Sequence, residues 1–365
     1  MLTTTERRDV LTIRESLWSV CNAHKIYRLI LVKNKSYLKN KKVLVAGGSG
    51  FVGSNLLKKL LDTDAHLFAT RHINGPQIID RRIQYIDCDL MNVSECRKVV
   101  EGMDYVFMCA AETSGAAVIE GSPLTHLTPN IVMNLHMLES AYNAGVEKFL
   151  FISSSVVYPE KMTAVSENEV DYSFHPKYYI SGWMKTFTEK ISAFYSNEMQ
   201  KKMPVVILRP SNLYGEMDDF NLKTSHVIPA LIKKVIEAEG VVEVWGSGEE
   251  VRDFLYIGDF IEDLLSLFQL KELYGPLNIG YGEGVKIGEV IKAIMNIEGK
   301  SDIDVKFNIN MPTTIPYRVL DVCKADDILG FRQKTSLVDG LTKAIQWYKN
   351  NLGVSSMNMT RPRVS

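Results

Sequence analysis

Residues 41–61 read KKVLVAGGSGFVGSNLLKKLL: an apolar run, a glycine cluster, then an amphipathic helix. Few stretches of this length restrict a fold so strongly. Gly47, Gly48, Gly50 and Gly53 allow a tight backbone turn between the strand and the helix. Leu56, Leu57, Leu60 and Leu61 then recur on one helical face, which needs an apolar surface to cover.

The same pattern continues downstream. HLFAT and IQYIDCDL read as short strands and DYVFMCAA as a fully buried one. NIVMNLHMLESAYNAG reads as a helix ending at Gly145, and KFLFISSS as a further buried strand. Continuous apolar strands alternating with helices predict an α/β fold, a doubly wound parallel sheet covered on both faces. After Arg209-Pro210 the alternation loosens. Helices are expected at VIPALIKKVIEA, GDFIEDLLSLF, GEVIKAIMNI and LVDGLTKAIQWYKNN, and a strand at VEVWG. The expected organisation is an N-terminal extension (1–39), a Rossmann dinucleotide-binding domain (40–208), a smaller C-terminal substrate-binding lobe (209–350) and a tail (351–365). A segment near 251–282 is expected to return to the first domain.

A net charge of -1 over 365 residues gives no reason to expect nucleic acid or an anionic membrane as partner. The five cysteines are scattered without a C-x-x-C pair, which reads as reduced thiols in a cytoplasmic protein. No apolar run approaches the roughly 20 residues that cross a bilayer. MLTTTERRDV is too polar and acidic for a signal peptide, and KIYRLILVKN could form a short strand or docking segment. An extension without chemistry is the plainer expectation for residues 1–39.

The glycine cluster matches G-x-G-x-x-G from Gly48 and G-x-x-G-x-x-G from Gly47. Placed between strand and helix, it points to a dinucleotide whose pyrophosphate rests on the helix N-terminus, near Gly47, Gly50, Phe51, Val52 and Gly53. The next strand ends Ala69-Thr70-Arg71-His72, without the acid that commonly holds an unphosphorylated ribose. Arg71 suits a 2′-phosphate, so NADP(H) is favoured with NAD(H) as the alternative; a solvated surface arginine is the plainer reading.

With these residues, RPSNLYG, SHVIPALIKK, VWGSGEEVRDFLYIGD and LNIGYGEG occur in an order that resembles the extended short-chain dehydrogenase/reductase family of NDP-sugar epimerases and reductases. Within that family the likeness is to the GDP-L-fucose synthases, over about residues 41 to 350. The resemblance implies an NAD(P)-dependent epimerase/reductase acting on a 4-keto sugar nucleotide in glycan biosynthesis, working as a homodimer. It implies that Asp89 and Leu90 flank the adenine and that Ala110 and Ala111 line the cofactor. Pro210, Asn212 and Leu213 would touch the nicotinamide, and Lys185 would hold its ribose. Ser154 would hydrogen-bond the reacting carbonyl and His226 would act as acid in epimerisation. Lys234, Trp245 and Arg252 would grip the sugar nucleotide; Trp245 in the core and His226 as a helix cap are the plainer readings.

Three positions depart from the family pattern. Ser181 stands where the family has a tyrosine four residues before the lysine, a spacing that puts both on one helical face. Val156 stands for a cysteine base and Thr313 for a substrate-binding acid. Either a neighbouring phenol, Tyr178 or Tyr179, takes over, or the chemistry differs, or the chain binds nucleotides without turnover, as a sensor or partner protein.

Overall fold

The computed structural model describes residues 35–113, 124–271, 275–330 and 334–351; KIYRLILVKN and most of the C-terminal tail lie outside them. The first strand, β1 (Lys42–Ala46), buries four residues in succession. Val43 and Val45 go to one face of the sheet, with Leu56, Leu57 and Leu60 of α1 (Phe51–Leu60). Leu44 and Ala46 go to the other, with Cys96, Val99, Met137 and Leu138. Covering on both faces is why KVLVA shows no polar alternation.

The other strands of this sheet are β2 (His66–Arg71), β3 (Ile83–Asp87), β4 (Tyr105–Met108), β5 (Lys148–Ile152) and β6 (Val205–Pro210). Helices α2 (Val93–Val99), α3 (Leu124–Ala144) and α4 (Tyr179–Asn197) intervene. The strand order is β3-β2-β1-β4-β5-β6, every pair parallel, which is the doubly wound Rossmann order. α3 begins at Leu124, ahead of the apolar periodicity at Asn130, because Pro129 and polar neighbours mask its first turns.

Beyond β6 the chain forms β7 (Asn212–Tyr214), α5 (Val227–Glu237), β8 (Val241–Trp245), β9 (Val251–Arg252), β10 (Phe254–Tyr256) and α6 (Ile257–Phe268). It then returns to the large sheet: β11 (Leu277–Ile279) pairs in parallel with β6 as a seventh strand. β12 (Val285–Lys286), α7 (Ile287–Glu298), β13 (Asp304–Asn308), β14 (Tyr317–Arg318), α8 (Cys323–Leu329) and α9 (Leu337–Asn350) complete the order. β13 pairs with β8, and β9 runs between β12 and β14.

A buried polar knot joins these parts. Arg209 on β6 donates from Nε and Nη2 to the Glu189 carboxylate of α4 at 2.9 and 2.7 Å. Ser153 donates to the same carboxylate at 2.5 Å, and Arg209 Nη1 reaches the Tyr158 hydroxyl at 2.9 Å. That hydroxyl donates to Asn278 of β11 at 2.5 Å. Both charges are nearly sealed from water, so each depends on the other to offset its desolvation.

Candidate functional site

Because the sheet is parallel, the carboxyl ends of β1, β2, β4, β5 and β6 gather on one edge, above which the chain forms a cleft of about 2190 Å³. Every residue expected to act lines this cleft except Gly53. Gly53 lies one turn inside α1, where an added Cβ would come within 2.2 Å of the Gly47 carbonyl oxygen. The missing side chain lets the helix approach the loop.

The dinucleotide end is built from backbone. Gly47 has φ +82°, and a Cβ there would stand 2.6 Å from the Ala110 backbone. β2 pins the loop: Thr70 Oγ1 accepts from Gly47 N at 2.8 Å, and the Thr70 carbonyl accepts from Gly48 N at 2.9 Å. Gly50, Phe51 and Val52 bring the first turn of α1 into the cleft wall, where unpaired helix amides favour an anion. Asp89, Leu90, Ala110 and Ala111 line the neighbouring strand ends. A glycine cradle that side chains would fill, facing a helix N-terminus, fits a dinucleotide pyrophosphate. Arg71 is in this wall, and its guanidinium is engaged by Asp87, Nε to Oδ1 at 2.7 Å and Nη2 to Oδ2 at 3.2 Å.

In the middle of the cleft stand Ser154, Ser181 and Lys185. Ser154 Oγ accepts from the Val156 amide at 3.3 Å, which leaves its own proton free to donate to a carbonyl oxygen. Ser181 and Lys185 lie one turn apart on α4. Lys185 Nζ donates to the Ile152 carbonyl at 2.8 Å and lies 5.1 Å from the centre of the Phe151 ring. Burial pushes its pKa down to about 8, against a smaller opposing pull from Glu189. The ammonium opens on the cleft yet is walled by protein on its other sides, so partial exposure and strong desolvation hold together. Pro210, Asn212 and Leu213 flank this point, and Val156 presents only methyl groups to it.

Tyr178 and Tyr179 part company here. Tyr178 lines the cleft, whereas Tyr179 is absent from its wall and about half exposed (52%). His226 precedes α5 at its N-cap but makes no side-chain capping bond, so its ring is left to the cleft. Burial lowers its pKa and nearby Asp219 partly restores it.

The far end is built from side chains. Arg252 is buried, and its guanidinium donates to the Val251 carbonyl at 2.7 Å, to Thr314 Oγ1 at 2.7 Å and to the Ile315 carbonyl. Among the described residues no carboxylate forms an ion pair with it, and burial lowers its pKa. Parallel pairing of β9 and β14 sets Arg318 directly beside it. Arg318 donates to the Pro159 and Tyr158 carbonyls at 2.9 and 3.0 Å, while its Nε has no hydrogen-bond partner among the described residues. Burial, with Arg252 adding to it, takes Arg318 down to about 10. Two adjacent guanidinium groups, neither in an ion pair among the described residues and each only distantly offset by Glu250 or Glu160, make an anion-seeking corner, and Tyr178 is close enough to feel both. Lys234 Nζ sits 5.3 Å over the half-buried Trp245 ring and donates to the Glu243 carbonyl at 2.9 Å. Thr313 and Thr314 complete the wall. Arg318 was not foreseen, since a two-residue strand carries no periodicity to reveal its neighbour.

Comparison with known proteins agrees with this architecture. Residues 43–280 match the model of the NAD dependent epimerase/dehydratase family. A GDP-L-fucose synthase from Sinorhizobium fredii is 30% identical over 324 residues, covering 86% of this chain and 98% of that protein. A dTDP-4-dehydro-6-deoxy-D-allose reductase from Streptomyces bikiniensis is 26% identical, covering 85% and 96%. The crystal structure of a UDP-glucuronic acid 4-epimerase from Bacillus cereus, in complex with UDP-glucuronic acid and NAD, superposes with a TM-score of 0.74 at 29% identity, covering 85% of this chain and 99% of that one.

Proposed function

The chain belongs to the NAD dependent epimerase/dehydratase family, and from that premise we propose that it is an NAD(P)-dependent reductase of a 4-keto sugar nucleotide with little epimerase activity. The observation that carries the reading is one cleft lined together by a glycine cradle, by Ser154, Ser181 and Lys185, and by Arg252. A bound nicotinamide would supply the hydride; the residues do the rest. Ser154 donates to the ketone oxygen, and Lys185 holds positive charge beside it. Arg252, backed by Arg318, takes the diphosphate, and Trp245 with Lys234 offers a flat face and a charge to the nucleoside end.

Ser181 limits the rate in this reading, because an aliphatic hydroxyl is a weaker acid than a phenol and shorter in reach. Val156 limits the outcome: a side chain without an ionisable group cannot remove a proton from carbon. A relative that is a dTDP-4-dehydro-6-deoxy-D-allose reductase supports reduction as a use of this fold. The NADP(H) preference rests on Arg71 and the acid missing from β2. A homodimer is proposed through α3 and α4, since Trp183, Phe187 and Phe194 lie along one exposed face of α4; a monomer in sedimentation at micromolar concentration would remove it.

The deciding experiment incubates the protein with NADPH and a panel of 4-keto NDP-sugars and follows loss of absorbance together with product. Slow reduction without inversion is expected. Tight nucleotide-sugar binding without oxidation would leave a sensor. Fast turnover that collapses in Tyr178→Phe would transfer the acid role to the tyrosine whose place in the cleft wall favours that second reading.

A further inference from the structure

Arg71 and Asp87 are the last residues of β2 and β3, and parallel pairing sets them side by side. The guanidinium fork meets the carboxylate through both of its oxygens. Each partner shifts the other toward its charged form, so the pair is fully ionised at neutral pH. Arg71 is in the cleft wall at the adenosine end, while Asp87 stands outward beside it with 76% of its side chain exposed. The same cation is therefore wanted twice.

A phosphate monoester and a carboxylate ask for the same donors of an arginine, two parallel N–H groups aimed at two oxygens. For a 2′-phosphate to take the fork, Asp87 must surrender at least one contact and then remain as a like charge next to an anion of nearly two units. A 2′-hydroxyl asks for neither concession. We propose that Asp87 sets how strongly this chain prefers a 2′-phosphorylated dinucleotide, by competing with the phosphate for Arg71. The proposal rests on the reading of Arg71 as part of the cofactor site.

The effect is a tuning and not a block. Exposed ion pairs are weak and screened by salt, so a doubly charged ligand can displace Asp87 at modest cost. The residue then lowers the discrimination that Arg71 would otherwise provide, leaving the unphosphorylated cofactor competitive.

The test separates the adenosine end from the chemistry by titrating adenosine 2′,5′-bisphosphate and adenosine 5′-monophosphate, followed by tryptophan fluorescence or calorimetry. Native protein, Asp87→Asn and Arg71→Met are compared, with NADPH and NADH as the full-length pair. Asp87→Asn should tighten the bisphosphate roughly three- to tenfold and leave the monophosphate within twofold, with the gain shrinking as salt is raised. Arg71→Met should weaken the bisphosphate alone. If Arg71→Met weakens it but Asp87→Asn changes nothing, or changes both ligands alike, competition is wrong while Arg71 remains the phosphate reader. If neither variant alters the bisphosphate, the 2′-phosphate is bound elsewhere and both statements fall. Asp87 is exposed and makes no buried contact, so the variant should melt with the native protein, which circular dichroism checks.

Discussion

At its dinucleotide end the cleft is walled by backbone: the turn at Gly47, the first amides of α1 and the ends of β1, β2 and β4. At the opposite end it is walled by side chains from segments far apart in the chain, Lys234, Trp245, Arg252 and Thr314 among them. A backbone site tolerates drift in sequence as long as its glycines stay. A side-chain site can be rewritten residue by residue without harm to the fold. On the function proposed above, Ser181, Val156 and Thr313 are where such rewriting falls, in the catalytic and substrate portions of the cleft.

The largest expected effect comes from position 181. Ser181→Tyr places a phenol one turn before Lys185 on the same helix. A positioned general acid contributes about 10²–10⁴ in rate, so reduction of a 4-keto NDP-sugar should rise at least tenfold. Inversion should stay poor, because Val156 is unchanged. Steady-state turnover and product stereochemistry check this; an unaltered rate would mean that serine is not what limits the native protein.

Next in size is the buried polar knot. Arg209→Met leaves the Glu189 carboxylate buried without its ion-pair partner, and removing one partner of such a pair costs about 3–5 kcal/mol. Urea unfolding should register that loss, and both cofactor and nucleotide-sugar binding should suffer with it. A variant that keeps its stability would mean that water or the Ser153 hydroxyl compensates for Arg209 more fully than its burial suggests.

Arg252→Ala should separate the two ends. Loss of a desolvated cation facing a diphosphate weakens nucleotide-sugar binding by about 2–4 kcal/mol, and the NADPH titration should hardly move. Parallel loss of both would mean that the ends are one site. Unchanged nucleotide-sugar curves would confine Arg252 to its bonds with Val251, Thr314 and Ile315.

The same contrast explains what could be read from residues alone. The cradle was legible because glycine spacing and apolar runs are local signals, and one turn fixes the whole loop. The register of Ser181 with Lys185 was legible for the same reason. Arg318 was not, because it meets Arg252 only through pairing of the two-residue strands β9 and β14. Asp87 was hidden likewise: its claim on Arg71 arises from neighbouring strands sixteen residues apart. A motif alone does not show the packing reason for Gly53, where a Cβ would meet the Gly47 carbonyl oxygen.

Lys185 sits between the two ends, and its titration supplies the finest measurement. Its pKa is about 8 in the fold and near 10.5 when free of burial. Below pH 8 it is charged in both folded and unfolded chains, and the fold bears the cost of burying that charge. Between these two values the folded chain has lost the proton and the unfolded chain keeps it. The unfolded state then binds more protons, so this residue makes stability rise with pH across that window. Dinucleotide binding should move the other way, because the ammonium that would hold the ribose disappears as pH rises through 8. Urea melts and NADPH titrations on native protein and Lys185→Met, at matched pH values on either side of 8, read both trends. The comparison with the variant is needed because the buried Asp218 carboxyl is also pushed up to about 8 and titrates in the same range. The variant should lose the rise in stability and bind NADPH weakly at every pH. Equal pH slopes in native protein and variant would mean that Lys185 keeps its charge throughout, held by the Ile152 carbonyl and the Phe151 ring more firmly than its burial opposes.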